Sequence, residues 1–221
     1  MPKTEQLYSR HELRGVDLRI HNLLELDPAQ EEALRARILE SNGIIRVFVH
    51  PYFNLNQKDG DRNKDIVKMQ DVLSKMINSQ SEKVPPIIIF EEVTQIGNLR
   101  THLNCNAQNL RDIYVVPTKP NNATPFSVDN QTAHGYDFML AWHSLRKKLK
   151  ALGVTRVIIS GMNFEKMNNG EKQEMSGCVG LAAGHLRKDF EIEISFLNYP
   201  HNRKQVGDVI IGVDNGFLNL D

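Results

Sequence analysis

The sequence predicts an α/β fold, a three-layer α/β/α sandwich built on a mainly parallel, Rossmann-like sheet. Two observations predict it. Short apolar runs, typical of strands covered on both faces, alternate with segments of helical periodicity. This alternation favours right-handed β–α–β crossovers, which place helices on both faces of a parallel sheet. The predicted core strands are residues 44–49, 86–90, 112–116, 156–160 and 191–196.

Helix boundaries are signalled by capping residues. Asp27 is suited to the N-cap of a first helix, Pro28 fits its first turn, and Gln30 completes a capping-box spacing. Gly43 is suited to end that helix. Apolar stripes at helical spacing predict two further helices, one over residues 66–76 and one over 138–149 with Gly153 behind it.

The predicted domain organisation is a short arm followed by one large domain. Residues 1–43 form an N-terminal arm, with a strand near 16–20 and the capped helix, packed on an α/β domain of residues 44–221. The polar stretch 163–173 is predicted to be an exposed loop. The tail, 209–220, is interpreted either as a closing hairpin or as a last edge strand with a turn.

Composition narrows the class of partner. The formal net charge is zero and the pI about 7.1, so no global field attracts nucleic acid or an acidic membrane. A small-molecule ligand or substrate, or a protein, is favoured, and a homo-oligomer is left open. The two cysteines, the polar N-terminus and the absence of a long apolar run predict a cytoplasmic protein, with export by a signal-less route left open.

Candidate site residues follow the predicted strands. Ligands of open α/β sheets bind beyond the carboxyl ends of the strands, so polar residues there are expected to share one rim. No P-loop or dinucleotide-binding glycine pattern is present, no cofactor is expected, and no metal site is supported. The rim candidates are His50 and Tyr52 after the first core strand, Glu91 and Glu92 after the second, Lys119 after the third and Asn163 after the fourth.

Cys178 is the sharpest chemical candidate. It lies at the predicted start of a helix, where the helix dipole and free backbone N–H groups favour a thiolate and could hold an oxyanion. The alternative is a small buried residue that packs the helix on the sheet, which is what free cysteines usually are. Cys105, in a polar loop, is expected to be incidental.

One segment carries a family resemblance. Residues 153–161, GVTRVIISG, followed by Cys178-Val179 and Ala182-Ala183, resemble the closing half of isochorismatase-like cysteine hydrolases. The resemblance implies a nucleophilic Cys178 assisted by Lys119. The family's aspartate is missing, since His50 stands at that strand end, and the connection from Gly161 to Cys178 is longer than the family's short loop.

The sequence leaves three classes of function open. A divergent cysteine hydrolase would cleave a small amide or a related C–N or C–O bond through Cys178, with Lys119 stabilising the thiolate and His50 as acid–base residue. Glu91, Glu92, Asn163 and Tyr52 would contact the substrate. A non-catalytic ligand-binding module of the same fold is the alternative. An interaction protein using the polar loops and the N-terminal arm is the third.

Overall fold

The computed structural model describes residues 19–51, 73–77, 84–93, 96, 112–119, 122–126, 131–132, 135–161, 165–169, 172–196, 204–206 and 209–213. The strands are β1 (Arg19–Asn22), β2 (Ile44–Val49), β3 (Ile87–Glu92), β4 (Asp112–Thr118), β5 (Gln131–Thr132), β6 (Gly135–Tyr136), β7 (Arg156–Gly161), β8 (Glu165–Asn169), β9 (Lys172–Ser176), β10 (Glu191–Phe196), β11 (Lys204–Val206) and β12 (Val209–Val213). The helices are α1 (Pro28–Glu40), α2 (Phe138–Ala151) and α3 (Gly177–Leu186), with a 3-10 turn at Leu23–Glu25 and helical residues at 73–77.

The main sheet confirms the predicted α/β class. Its strand order is β1-β4-β3-β2-β7-β10-β12-β11. Every neighbouring pair from β1 to β12 is parallel, and β11 runs antiparallel to β12 at one edge. The strands predicted at 44–49 and 191–196 have the predicted bounds, and the other three extend one or two residues further toward the carboxyl edge.

Both faces of the sheet are covered. One face forms a continuous apolar core with the three helices. Phe48, Ile89 and Val115 alternate along their strands with residues of that core. Their side chains therefore lie on the opposite face of the sheet, where they are buried as well. The core members on the first face include Val47, Val49, Ile88 and Phe90 from strands, Leu34 and Ile38 from α1, Trp142 and Leu145 from α2, and Val179 from α3. Leu73, Met76 and Ile77, from the helical residues 73–77, are fully buried and do not belong to this cluster.

The first helix begins and ends where the sequence predicts. The Asp27 side chain accepts a hydrogen bond from the Gln30 backbone N–H at 2.9 Å, and the Gln30 side chain accepts one from the Asp27 N–H at 3.1 Å. Asn42 and Gly43 have positive φ angles of 54° and 77°, which ends the helix and turns the chain into β2. Local capping chemistry therefore determines where α1 begins and ends, and where β2 can start.

Three segments differ from, or add to, the predictions. Residues 163–173, predicted to be a loop, contain most of an antiparallel hairpin, β8–β9, that stands apart from the main sheet. β1 pairs in parallel with β4, so the strand of the predicted arm is an edge strand of the main sheet. The tail contributes β12, a parallel strand inside the sheet, whose hairpin partner β11 precedes it. Residues 52–72 and 214–221 lie outside the described part.

No helix within the described ranges is long and apolar enough to cross a membrane.

Candidate functional site

The strand order creates a switch point between β2 and β7. From β2 the chain adds β3 and β4 on one side, and then crosses to β7 on the other side of β2. Loops leaving the two neighbouring strands therefore turn in opposite directions, which opens a crevice at their carboxyl ends. Ligands of open α/β sheets bind at such a crevice. The site is thus expected where Val49 and Gly161 end their strands.

His50 directly follows β2 and has an unusual backbone. Its φ angle is 50°, in the left-handed region that non-glycine residues seldom occupy. Its backbone N–H donates to the carbonyl of Phe90 at 2.7 Å, and its Nε2 lies 3.0 Å from the Thr118 hydroxyl. Since β3 separates β2 from β4, the imidazole reaches across the end of β3. His50 therefore ties together the ends of three strands.

Burial decides the protonation state of His50. The residue is 2% exposed, and desolvation lowers its pKa from 6.5 to about 4. The ring is neutral near pH 7. Taking a proton from an ordinary thiol, whose pKa is roughly 8.5, would cost about 6 kcal/mol at this difference in pKa. Burial thus argues against the acid–base role predicted for His50 and favours a structural or hydrogen-bonding role.

The two glutamates at the end of β3 are also interior. Glu91 is fully buried and Glu92 is 5% exposed. The Glu91 carboxylate accepts a hydrogen bond from the Glu92 backbone N–H at 2.9 Å. Glu91 therefore binds its own strand end, and its direct contact with a substrate would require the site to open.

The start of α3 is packed into the switch point. A Cβ atom on Gly161 would lie 2.5 Å from Val179 Cγ2 and 2.8 Å from the carbonyl oxygen of Val49. The first turn of α3 therefore packs closely on Gly161 at the end of β7, beside the end of β2, and the absence of a side chain on Gly161 permits this approach. Gly177, at the helix start, has a φ angle of 77°. These contacts fix the backbone of Cys178 at the carboxyl edge.

Cys178 is partly exposed at this edge. Its side chain packs against the apolar core and keeps an accessible fraction. Both sequence hypotheses, a nucleophile and a packing residue, are compatible with this position, because the residue contacts the apolar core and is not fully buried. Its place in the first helical turn is as predicted.

Lys119 directly follows β4. Its backbone N–H donates to the carbonyl of Thr124 at 3.1 Å, and the Asn122 side chain accepts from the Thr124 N–H at 2.8 Å. Thr118, the residue before it, is fully buried against His50. The lysine itself is partly exposed. Of the predicted site residues within the described ranges, Cys178 and Lys119 retain access to solvent.

Some of the predicted site residues lie outside the described part of the chain, and the sequence did not predict one residue that the structure places at the site. Tyr52, Asn163 and Cys105 lie outside the described residues. Thr118 was not singled out from the sequence, although it is the hydrogen-bond partner of His50. Its only signal was its place at the end of a predicted strand. Within the described part of the chain, no three His, Cys, Asp or Glu side chains are grouped to hold a metal ion.

Comparisons with protein-family models, with curated proteins and with solved structures find no match for this chain.

Proposed function

We propose that the protein is a cysteine hydrolase that cleaves a small amide, or a related C–N or C–O bond, at the switch point of the sheet, with Cys178 as nucleophile. One chain of contacts carries the proposal. Thr118 on β4 contacts His50 after β2, and Val49 on β2 packs with Gly161 on β7 and Val179 on α3. The residues beside them, Lys119 and Cys178, thus flank one continuous edge.

Strand spacing supports an encounter between Lys119 and Cys178 across that edge. β4 and β2 are two strands apart, about 10 Å at the usual spacing between neighbouring strands. His50 already spans this gap to Thr118. The start of α3 packs on Gly161 at the end of β7, the strand next to β2, which places Cys178 about three strand spacings, roughly 15 Å, from the end of β4. A lysine side chain is long enough to serve a site between them.

The proposed mechanism assigns the thiolate to the helix start and not to His50. The positive end of α3 and the ammonium of Lys119 favour the ionised thiol. The thiolate attacks the substrate carbonyl, and the C–N or C–O bond breaks as the leaving amine or alcohol takes up a proton from solvent water. A second water then cleaves the thioester, which releases the acid and returns the thiol. Backbone N–H groups of the first helical turn stabilise the oxyanion. His50 and Thr118 hold the strand ends in place. This scheme suits a divergent isochorismatase-like hydrolase that lacks the family's aspartate.

Trapping the acyl-enzyme tests this function. After brief exposure to p-nitrophenyl acetate at neutral pH, we expect one acetyl group on Cys178, detected by intact mass and peptide mapping, which disappears with time as water cleaves it. A Cys178→Ser variant should carry no such adduct, while a Cys105→Ser variant should behave like the parent protein. An acetyl group that stays on the thiol indefinitely would contradict hydrolase activity.

A second function, ligand binding without catalysis, is favoured by one observation. The lowered pKa of His50 makes this residue a poor base for the thiol at neutral pH. A binding module at the same rim would bind small molecules saturably and form no acyl-enzyme.

A further inference from the structure

An aromatic stack fills the seam between α2 and α3. The rings of Trp142 on α2 and His185 on α3 are parallel within 5°, with centroids 4.7 Å apart. Phe138 meets His185 edge-on, with centroids 5.1 Å apart, and Phe90 of β3 lies 6.2 Å from Trp142. Trp142 is fully buried. The seam is thus shielded from bulk water on the side that faces the sheet.

Three buried nitrogen atoms in this seam have no hydrogen-bond partner among the described residues: Trp142 Nε1, Arg146 Nη1 and His185 Nδ1. Trp142 and Arg146 are four residues apart on α2 and therefore share a helix face. Arg146 is only 9% exposed, and its Nε donates to Asp189 at 2.7 Å, which fixes the guanidinium and leaves Nη1 available. A buried polar group without a partner costs about 1–3 kcal/mol, so an acceptor placed among these three nitrogen atoms would be stabilised by each of them.

The charges around the seam are mainly positive. Asp189 is shared between Arg146 and Lys150, whose Nζ lies 2.5 Å from its second oxygen. Lys188, an exposed residue three positions after His185, is a further cation nearby, and Lys188 and Arg146 add to the effect of burial in lowering the pKa of His185 to about 4. Donors in a positive field select an anion over a neutral acceptor.

We propose that the seam between α2 and α3 is a binding site for a small inorganic anion, which accepts hydrogen bonds from Trp142 Nε1, Arg146 Nη1 and His185 Nδ1. The site is separate from the edge that carries Cys178 and does not depend on the hydrolase proposal. An anion there ties α2 to α3, the helix that begins with the cysteine turn. Iodide and chloride are the simplest anions with which to probe this site.

Iodide quenching of the single tryptophan tests this site directly, because Trp142 is the only tryptophan in the chain. A fully buried indole is poorly reached by collision, so a protein without the site should show weak quenching that rises linearly with iodide. We expect instead a saturable loss of fluorescence at constant ionic strength, which chloride reverses by competition. Weak linear quenching that chloride does not affect would overturn the proposal.

Variants identify the donors. Arg146→Met should raise the iodide dissociation constant about tenfold or more, since a hydrogen bond to a charged group contributes about 1.5–3 kcal/mol. Lys150→Met is the matched control: Lys150 pairs with the same Asp189 but supplies none of the three nitrogen atoms, and its side chain is 57% exposed. Solvent screens its charge, so its loss should raise the iodide dissociation constant much less than Arg146→Met does. If Arg146→Met does not fold, His185→Phe keeps the ring stack and removes Nδ1, and it should also weaken binding. Equal iodide affinity in the tested donor variant and the parent would refute the assignment.

Discussion

Acidification from pH 7 to pH 4 is expected to reduce the free energy of unfolding of the parent protein by about 3 kcal/mol more than that of a His50→Gln variant. The pKa of His50 is about 4 in the folded protein and 6.5 in an unfolded chain. Between pH 6.5 and pH 4, His50 is therefore protonated in the unfolded chain and neutral in the folded protein. The free energy of unfolding falls as the pH falls through this range. A difference of about 2.5 in pKa corresponds to about 3 kcal/mol.

Urea unfolding at several pH values between 7 and 4 measures this effect. His185 titrates in the same direction, but it is present in both proteins, so the difference between them isolates His50. Glutamine keeps a polar side chain that can contact Thr118 without titrating. Parallel stability profiles for the two proteins would show that His50 is accessible to water and protons, and the neutral role assigned to it would be withdrawn.

Gly161→Ala is expected to destabilise the protein by about 1–3 kcal/mol and to displace the start of α3. The new methyl group would lie 2.5 Å from Val179 Cγ2 and 2.8 Å from a backbone oxygen of Val49, which has little freedom to move. Overpacking of a tight core costs this much when the backbone must shift. Because Val179 follows Cys178, the same shift should alter the rate at which the thiol is alkylated. Urea unfolding and alkylation kinetics measure the two effects.

Gly184→Ala is the matched control for this substitution. Gly184 lies within α3, and a Cβ atom there meets nothing within 4 Å. Alanine in a helix interior is favoured over glycine by about 1 kcal/mol, so this variant should be as stable as the parent or more stable. Equal stability of the Gly161 and Gly184 variants would contradict the close packing at the switch point.

The sequence predicted those parts of the fold that depend on local chemistry. The capping box of Asp27 and Gln30 and the positive-φ residue Gly43 specify α1 without reference to the rest of the chain. Consecutive apolar residues mark β2 and β3, because strands covered on both faces need them. The parallel sheet was predictable because strand-like segments alternate with helix-like segments along the sequence.

Features that depend on distant pairing were harder to predict. The hairpin β8–β9 has polar strands with no apolar alternation, so its sequence resembled a loop. The pairing of β1 with β4 joins residues 93 positions apart, as Arg19 with Asp112, and no local pattern encodes it.

The candidate site was predictable in outline and not in detail. The carboxyl-edge rule located the strand ends of His50, Glu91 and Lys119. It could not reveal that His50 and Glu91 are buried, since burial depends on what folds over each strand end. The contact of His50 with Thr118, across an intervening strand, needed the strand order. The seam of Trp142, Arg146 and His185 joins two helices and has no sequence motif.

The central claim, that Cys178 is a nucleophile, is tested most directly by the rate of its alkylation in the folded protein. Iodoacetamide labelling is measured between pH 6 and pH 9 in a Cys105→Ser background, with and without Lys119→Ala. An ordinary thiol, with a pKa of roughly 8.5, labels slowly at pH 7. The account predicts that Cys178 labels about 2–15 times faster than such a thiol at pH 7, the increase in thiolate fraction that corresponds to about 0.3–2 kcal/mol from a helix N-terminus, and that Lys119→Ala slows it. A thiol that stays unlabelled until urea unfolds the protein would be a packing residue, and the claim would be contradicted.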